Sequence, residues 1–232
     1  MKSVNYIVLF CLFLISTSCI SEQEGKAIKS AADLYGTTIS YISGVSTSTD
    51  DGEKRFIERD ISESKLINEL PAELIGSNVA YTFFKNMDKS KNYTHIVSNV
   101  HQSKKETKLE YSIDDLEIVG YKEKEYARAV ESLKDKKYDE LFLSVVEEFQ
   151  GNSIQINEVR KTMIELDNKY GKITDYAFHG FTFTDFDTES GNLQLIQIFG
   201  ILKYDKENMR FSLFTSQNKQ IEEEHYGFRF NW

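Results

Sequence analysis

The feature that most constrains the fold is a change of hydrophobic period partway along the chain. Between residues 114 and 171, apolar side chains recur at helical spacing: Tyr126, Val130 and Leu133, then Leu141, Phe142, Val145, Val146 and Phe149, then Val159, Met163, Leu166 and Tyr170. Gly171 closes this stretch as a helix C-cap. From Ile173 the text becomes aromatic and β-branched, in runs 173–186, 193–204, 210–216 and 224–232, parted by polar turns at 187–192 and 205–208. Apolar positions about 3.6 apart mark helices, whereas runs rich in β-branched and aromatic residues between turns mark strands. Helices followed by consecutive short-turned strands predict an antiparallel sheet with a helical layer against it, an α+β fold.

The first half has the same ingredients in another order. Ala27, Ile28, Ala31, Leu34 and Tyr35 fall on one helical face that Gly36 stops. Thr37–Ser43 and Lys54–Ile61 read as strands, and Asp51-Gly52 between them is a hairpin signal. Pro71, the only proline, fits the first turn of a helix carrying Leu74, Ile75, Val79, Ala80, Phe83, Phe84 and Met87. Strands follow over Tyr93–His101 and Lys108–Ile113. The order is helix, two strands, helix, two strands. The expected organisation is therefore two small α+β domains, 26–115 and 116–232, each with helices packed on a mainly antiparallel sheet.

The beginning of the chain carries a separate signal. Lys2 precedes the apolar run Tyr6–Ile15, and Ser16, Thr17 and Ser18 lead to Cys19. Ten apolar residues are too few to remain as a membrane-spanning helix. Charge, short apolar core and small residues are what a signal peptidase reads. Residues Ile15 to Cys19 resemble the lipoprotein box of bacterial lipoproteins, with Ser16 where leucine is usual and Ser18 where Gly or Ala is usual. The resemblance implies a signal peptide over 1–18, cleavage before Cys19, and a thioether-linked diacylglycerol on Cys19 followed by acylation of the new amino terminus. Residues 19–25 then act as a tether, and two or three acyl chains hold the protein to a membrane. Glu22 and Glu24, with no Asp directly after the cysteine, resemble the surface-export signal of some Gram-negative lipoproteins. Outer membrane is the expected location, with the leaflet face left open.

Cleavage would leave 214 of 232 residues and, with Cys11 and Lys2 gone, one cysteine and a net charge of −10 instead of −9. An intrachain disulfide, a cysteine nucleophile and a thiolate zinc site are then excluded. So acidic a chain, without a long basic run, is a poor partner for nucleic acid. A hydrophobic content of 40% is enough for a folded core.

Residues 116–232 resemble the cystatin/NTF2-like group of small α+β domains. The likeness rests on the helical Tyr138-Asp-Glu-Leu141, on Lys169-Tyr-Gly-Lys172 closing the last helix, and on the aromatic strands that follow. It implies helices cradled by a curved sheet, in some members with a pocket between. His179, Asp185 and Asp187 are the candidates for such a pocket, since one histidine and one carboxylate suffice for acid–base chemistry. Yet residues 176–183 alternate poorly, and Gly180 marks a bulge. Asp185, Asp187, Glu189 and Gly191 resemble an abbreviated calcium loop, but Ser190 and Ile196 stand where the EF-hand needs Gly and Glu, so an acidic turn is the better reading. His95 and His101 share one strand face about 20 Å apart, too far for one metal. Tyr226, Phe228, Phe230 and Trp232 read as a closing core strand.

No serine-nucleophile elbow, His-Glu-x-x-His pair or phosphate-binding glycine loop occurs. These features point to a membrane-anchored envelope lipoprotein that binds another envelope protein without catalysis, needing neither cofactor nor metal. An NTF2-like pocket enzyme or small-ligand carrier is the alternative. A third reading is an immunity or inhibitor lipoprotein whose acidic surface neutralises a basic toxin.

Overall fold

The structure is a computed structural model that describes residues 21–48, 52–103, 105–147, 153–188, 191–221 and 225–230. It is α+β, with two four-stranded sheets and helices packed on them. Helix α1 spans Glu22–Tyr35, strands β1 and β2 span Ile39–Ser48 and Gly52–Ile61, and helices α2 and α3 span Lys65–Glu69 and Ala72–Asn86. Strands β3 (His95–Gln102) and β4 (Lys105–Ser112) complete the first sheet in the order β1-β2-β3-β4. Helices α4 (Ile113–Lys134), α5 (Tyr138–Leu143) and α6 (Ser153–Tyr170) precede β5 (Ile173–Thr188), β6 (Gly191–Tyr204), β7 (Asn208–Ser216) and β8 (His225–Phe230), which pair as an antiparallel meander.

Local chemistry explains most of these boundaries. Ser21 caps α1 in a reciprocal box: its Oγ accepts from the Glu24 amide at 3.2 Å, and Glu24 Oε2 accepts from the Ser21 amide at 2.7 Å. Gly36, at φ +58°, ends that helix in the left-handed conformation. Because α1 begins at Glu22, residues 22–25 of the expected tether are helical, and only Ile20 and Ser21 stand between Cys19 and the first helical turn. Strands β1 and β2 form the expected hairpin, in unbroken register from Ile39↔Ile61 to Ser48↔Gly52, with the turn itself outside the described residues. Pro71 sits at the N-cap of α3, one position before the first turn.

Two pairings depart from expectation. Strands β2 and β3 are parallel, joined by the crossover through α2 and α3. The apolar stripe expected to run from Leu141 to Phe149 stops being helical at Leu143. Val145 instead forms a bridge with His225, and the Val146 amide donates to the His225 carbonyl at 2.7 Å. Two consecutive β-branched residues favour that extended pairing over another helical turn. Phe149 lies outside the described residues.

Helix α3 lies between the two sheets, which is why ten of its fifteen residues are buried, including Gly76, Ser77 and Asn78. Ser98 of β3 donates to the Gly76 carbonyl at 3.1 Å, while Ser77 Oγ accepts from the Phe181 amide of β5 at 3.0 Å. A Cβ at Gly180 would lie 2.7 Å from the Leu74 carbonyl oxygen, so the strand can approach the helix only through glycine. The same glycine, at φ +139°, adjoins a register shift in the β5–β6 pairing. That bulge changes the parity of β5. Tyr176 and Phe178 before it, and Phe181 and Phe183 after it, all pack against the main core.

This core is continuous from Ile57 and Ile96 in the first sheet, through Tyr81 and Phe83, to Ile196, Phe211 and Leu213 in the second. The boundary expected at 115/116 falls in the first turn of α4. A second cluster, including Tyr35, Ile61, Ile67, Val79 and Val100, seals α1 and α2 onto the first sheet.

Candidate functional site

Alternation along the first sheet gives it two different faces. Ile57, Arg59 and Ile61 on β2, with Ile96, Ser98 and Val100 on β3, point toward the helices. Phe56, Glu58 and Asp60, with His95, Val97, Asn99 and His101, occupy the opposite face. On that outer face Ser46, Lys54, Phe56, Glu58, Val97, Lys108 and Glu110 enclose a groove of about 320 Å³. Val97, at its floor, is only 4% exposed because long charged side chains fold across it.

The walls of the groove are a strand-to-strand charge network. Lys54 pairs with Glu110 at 3.3 Å and Lys108 with Glu58 at 3.4 Å. Asn99 donates to Glu58 at 2.5 Å and to Asp60 at 3.0 Å, leaving its own Oδ1 buried without a donor. His95 lies 3.7 Å from Glu110, and His101 lies 3.6 Å from Asp60. The two histidines therefore do share a face and flank the network from opposite ends. Three acids, two lysines, two histidines and an apolar floor suit a polar surface carrying both signs of charge.

The inner face holds a more unusual group. Arg59 is fully buried, its guanidinium stacked 3.8 Å from the centre of the Phe83 ring, and among the described residues Nε and both terminal nitrogens find no acceptor. Burial pushes the guanidinium down to about 9, against the opposing pull of Tyr93 and Glu24. Glu24 is itself fully buried and accepts from Lys91 at 2.5 Å and from the Asp88 amide at 3.2 Å, besides the Ser21 amide. Burial raises the Glu24 carboxyl, but the hydrogen bonds from Lys91, Ser21 and Asp88 outweigh it and hold the group below its ordinary value.

A second polar cluster lies inside the other half. Lys122 and Glu125 are 0% and 2% exposed and meet at 2.7 Å. Lys122 also donates to the Ile221 carbonyl at 2.6 Å, and Thr215 donates to Glu125 at 2.5 Å. Nearby, Arg128, Ala129, Ser132, Glu140, Leu141, Ser144 and His225 line a cavity of about 220 Å³. His225 is 4% exposed, and its Nδ1 is buried without a hydrogen bond among the described residues. Burial, reinforced by the charges of Arg128 and Lys122, pushes this imidazole down to about 4, so it is neutral at physiological pH.

The sequence-predicted trio is not assembled into one site. His179 is buried at the β5 bulge, its ring 6.4 Å from that of Tyr35, and Tyr35 accepts from Asn78 at 2.7 Å. Burial, and then the charge of Arg210, lowers the His179 imidazole below its usual value. Asp185 and Asp187 are exposed at the far end of the same strand, six and eight residues on and roughly 20 and 26 Å away by strand rise. Glu189 and Ser190 of the acidic turn, and the lipidation candidate Cys19, lie outside the described residues. Among the described residues no group of three or more His, Cys, Asp or Glu is placed to hold a metal, and no helix is long and apolar enough to cross a membrane.

Sequence reasoning overlooked Arg59, the Lys122–Glu125 pair and His225. Signals for the first two were present. Arg59 alternates with Ile57 and Ile61 on one strand face, and Lys122 stands between Val119 and Tyr126 on the apolar stripe of α4. His225 carried none, because its burial depends on α5 and on Val145 folding over β8. Compared with known families, with curated proteins and with solved structures, the chain matches none.

Proposed function

We propose that this chain is an envelope lipoprotein, anchored in the outer membrane through lipid on Cys19, that works as a non-enzymatic module binding another envelope protein. The observation that carries the binding role is the groove on the outer face of the first sheet, where charged walls of both signs surround Phe56 and Val97. Mixed charge over an apolar floor is the composition of a protein-recognition surface. The anchor agrees with the start of α1 at Glu22, which would hold the folded domain within a few residues of the lipid. Three helices preceding a four-stranded antiparallel meander support the cystatin/NTF2-like reading of residues 116–232.

A photoreactive residue at Lys108 on the groove wall, introduced in intact cells, tests this reading. It should capture one envelope protein reproducibly, whereas the same probe at Lys161, exposed on α6, should not. Equal capture at both positions, or none at Lys108, would count against the groove. The pocket reading is favoured by a single observation, the cavity beside neutral, buried His225. It requires the native chain to retain a small molecule that His225→Ala releases.

A further inference from the structure

Strand β1 is an outer edge of the first sheet, and its ten residues, Ile39-Ser-Tyr-Ile-Ser-Gly-Val-Ser-Thr-Ser48, include no charge and no proline. Its pairing with β2 runs without a bulge. Charge, proline and bulges are the features that ordinarily blunt an edge against another strand. The other edges are blunted: β4 carries Lys105, Glu106, Lys108 and Glu110, β5 is bulged twice, and β8 is six residues long and irregular.

The register fixes which backbone groups are open. The Ser62 amide donates to the Thr38 carbonyl at 3.0 Å, so Thr38 and Ser62 form a hydrogen-bonded pair. Antiparallel pairs alternate, which commits residues 40, 42, 44 and 46 to β2. The amides and carbonyls of Tyr41, Ser43 and Val45 then point away from the sheet. Around them Tyr41, Ile42 and Val45 are 38%, 58% and 60% exposed.

We infer that β1 pairs antiparallel with β1 of a second copy, about a two-fold axis through Ser43. The strand's own pattern selects this occupant. In a chain with 37 acidic and 28 basic residues, β1 is a ten-residue strip without charge, so a second copy can pair along it without like charges facing each other in the contact. The pattern is also self-complementary about Ser43. Tyr41 falls opposite Val45 of the second copy, an aromatic against a β-branched side chain, and Ile42 falls opposite Gly44. The axis runs perpendicular to the joined sheet, which places both copies' α1 helices on the same side, as two anchors in one membrane require. The contact is isologous and closes, giving a dimer with an eight-stranded sheet.

Ser43→Cys in the whole chain, expressed in membranes and treated with a mild oxidant, tests the pairing. Facing residues of a hydrogen-bonded antiparallel pair have Cα atoms about 5.5 Å apart, within disulfide reach. Thr47→Cys is the register control, since the same axis separates position 47 of one copy from position 47 of the other by about eight residues of strand, roughly 26 Å. The expected result is at least about tenfold more disulfide dimer for S43C than for T47C or the unmodified chain, lost several-fold when Val45→Lys is added. Val45 is exposed, so that change leaves the fold intact. Equal dimer at both positions, S43C dimer no greater than in the unmodified chain, dimer insensitive to V45K, or cross-linking of S43C to a protein of another mass would each overturn the second-copy pairing.

Discussion

At the scale of single residues, Arg59 is the group least explained by stability. A buried guanidinium without acceptors keeps its desolvation cost and recovers only the contact with Phe83 and distant attraction to Glu24 and Tyr93. Arg59→Met should therefore raise the unfolding free energy by about 1–4 kcal/mol, visible as a thermal midpoint several degrees higher. An unchanged or lower midpoint would mean that the charge has a partner. Lys122 is the opposite case, because its pair is complete. Lys122→Met leaves Glu125 buried and facing Thr215 alone, and should cost about 3–5 kcal/mol in a denaturant titration. His225 makes stability depend on pH. Its pKa is lowered to about 4 in the folded chain from 6.5, so the unfolded state binds the extra proton between those values. Stability should fall as pH drops from about 6.5 toward 4, by up to about 3 kcal/mol from this group. His225→Gln should flatten that part of the profile relative to the parent, and parallel profiles would show that His225 does not titrate in this way.

At the scale of elements, helix α3 determines how the sheets are held. It meets them through Gly76, Ser77 and Gly180, where side chains are small enough for backbones to approach closely. Gly180→Ala would need a positive φ and would push a methyl group into the Leu74 carbonyl, so a loss of about 2–4 kcal/mol is expected by chemical denaturation. A loss below about 1 kcal/mol would mean that α3 and β5 are not so closely joined. Much at this scale was legible in the sequence. The helix-strand-strand order, the Asp51-Gly52 hairpin, the Gly171 cap and the Gly180 bulge all follow from local stereochemistry, which a sequence states directly. The parallel β2–β3 pairing was not legible, because it depends on where a 33-residue crossover returns the chain. Nor was the placement of α3 between sheets: its periodicity predicts a buried helix but cannot name the second surface that covers it. The exposed outer-face groove was invisible for a related reason, since Glu58, Lys108 and Glu110 become neighbours only across paired strands.

At the scale of the whole molecule, the fold is firmly tied close to the proposed anchor. Glu24, held in the capping box of α1, accepts from Lys91 and from the Asp88 amide in the connection after α3, while Ala31 and Tyr35 pack α1 against the first sheet. A lipid on Cys19 would then stand three residues before a helix that is packed onto the fold. Native mass spectrometry of the chain, purified gently from membranes, tests the lipid-anchored binding module most directly. The expected species is a polypeptide beginning at Cys19, carrying the mass of a diacylglyceryl group and an amino-terminal acyl chain, with no stoichiometric small molecule. A chain without lipid, or one retaining a small ligand in fixed proportion, would contradict it.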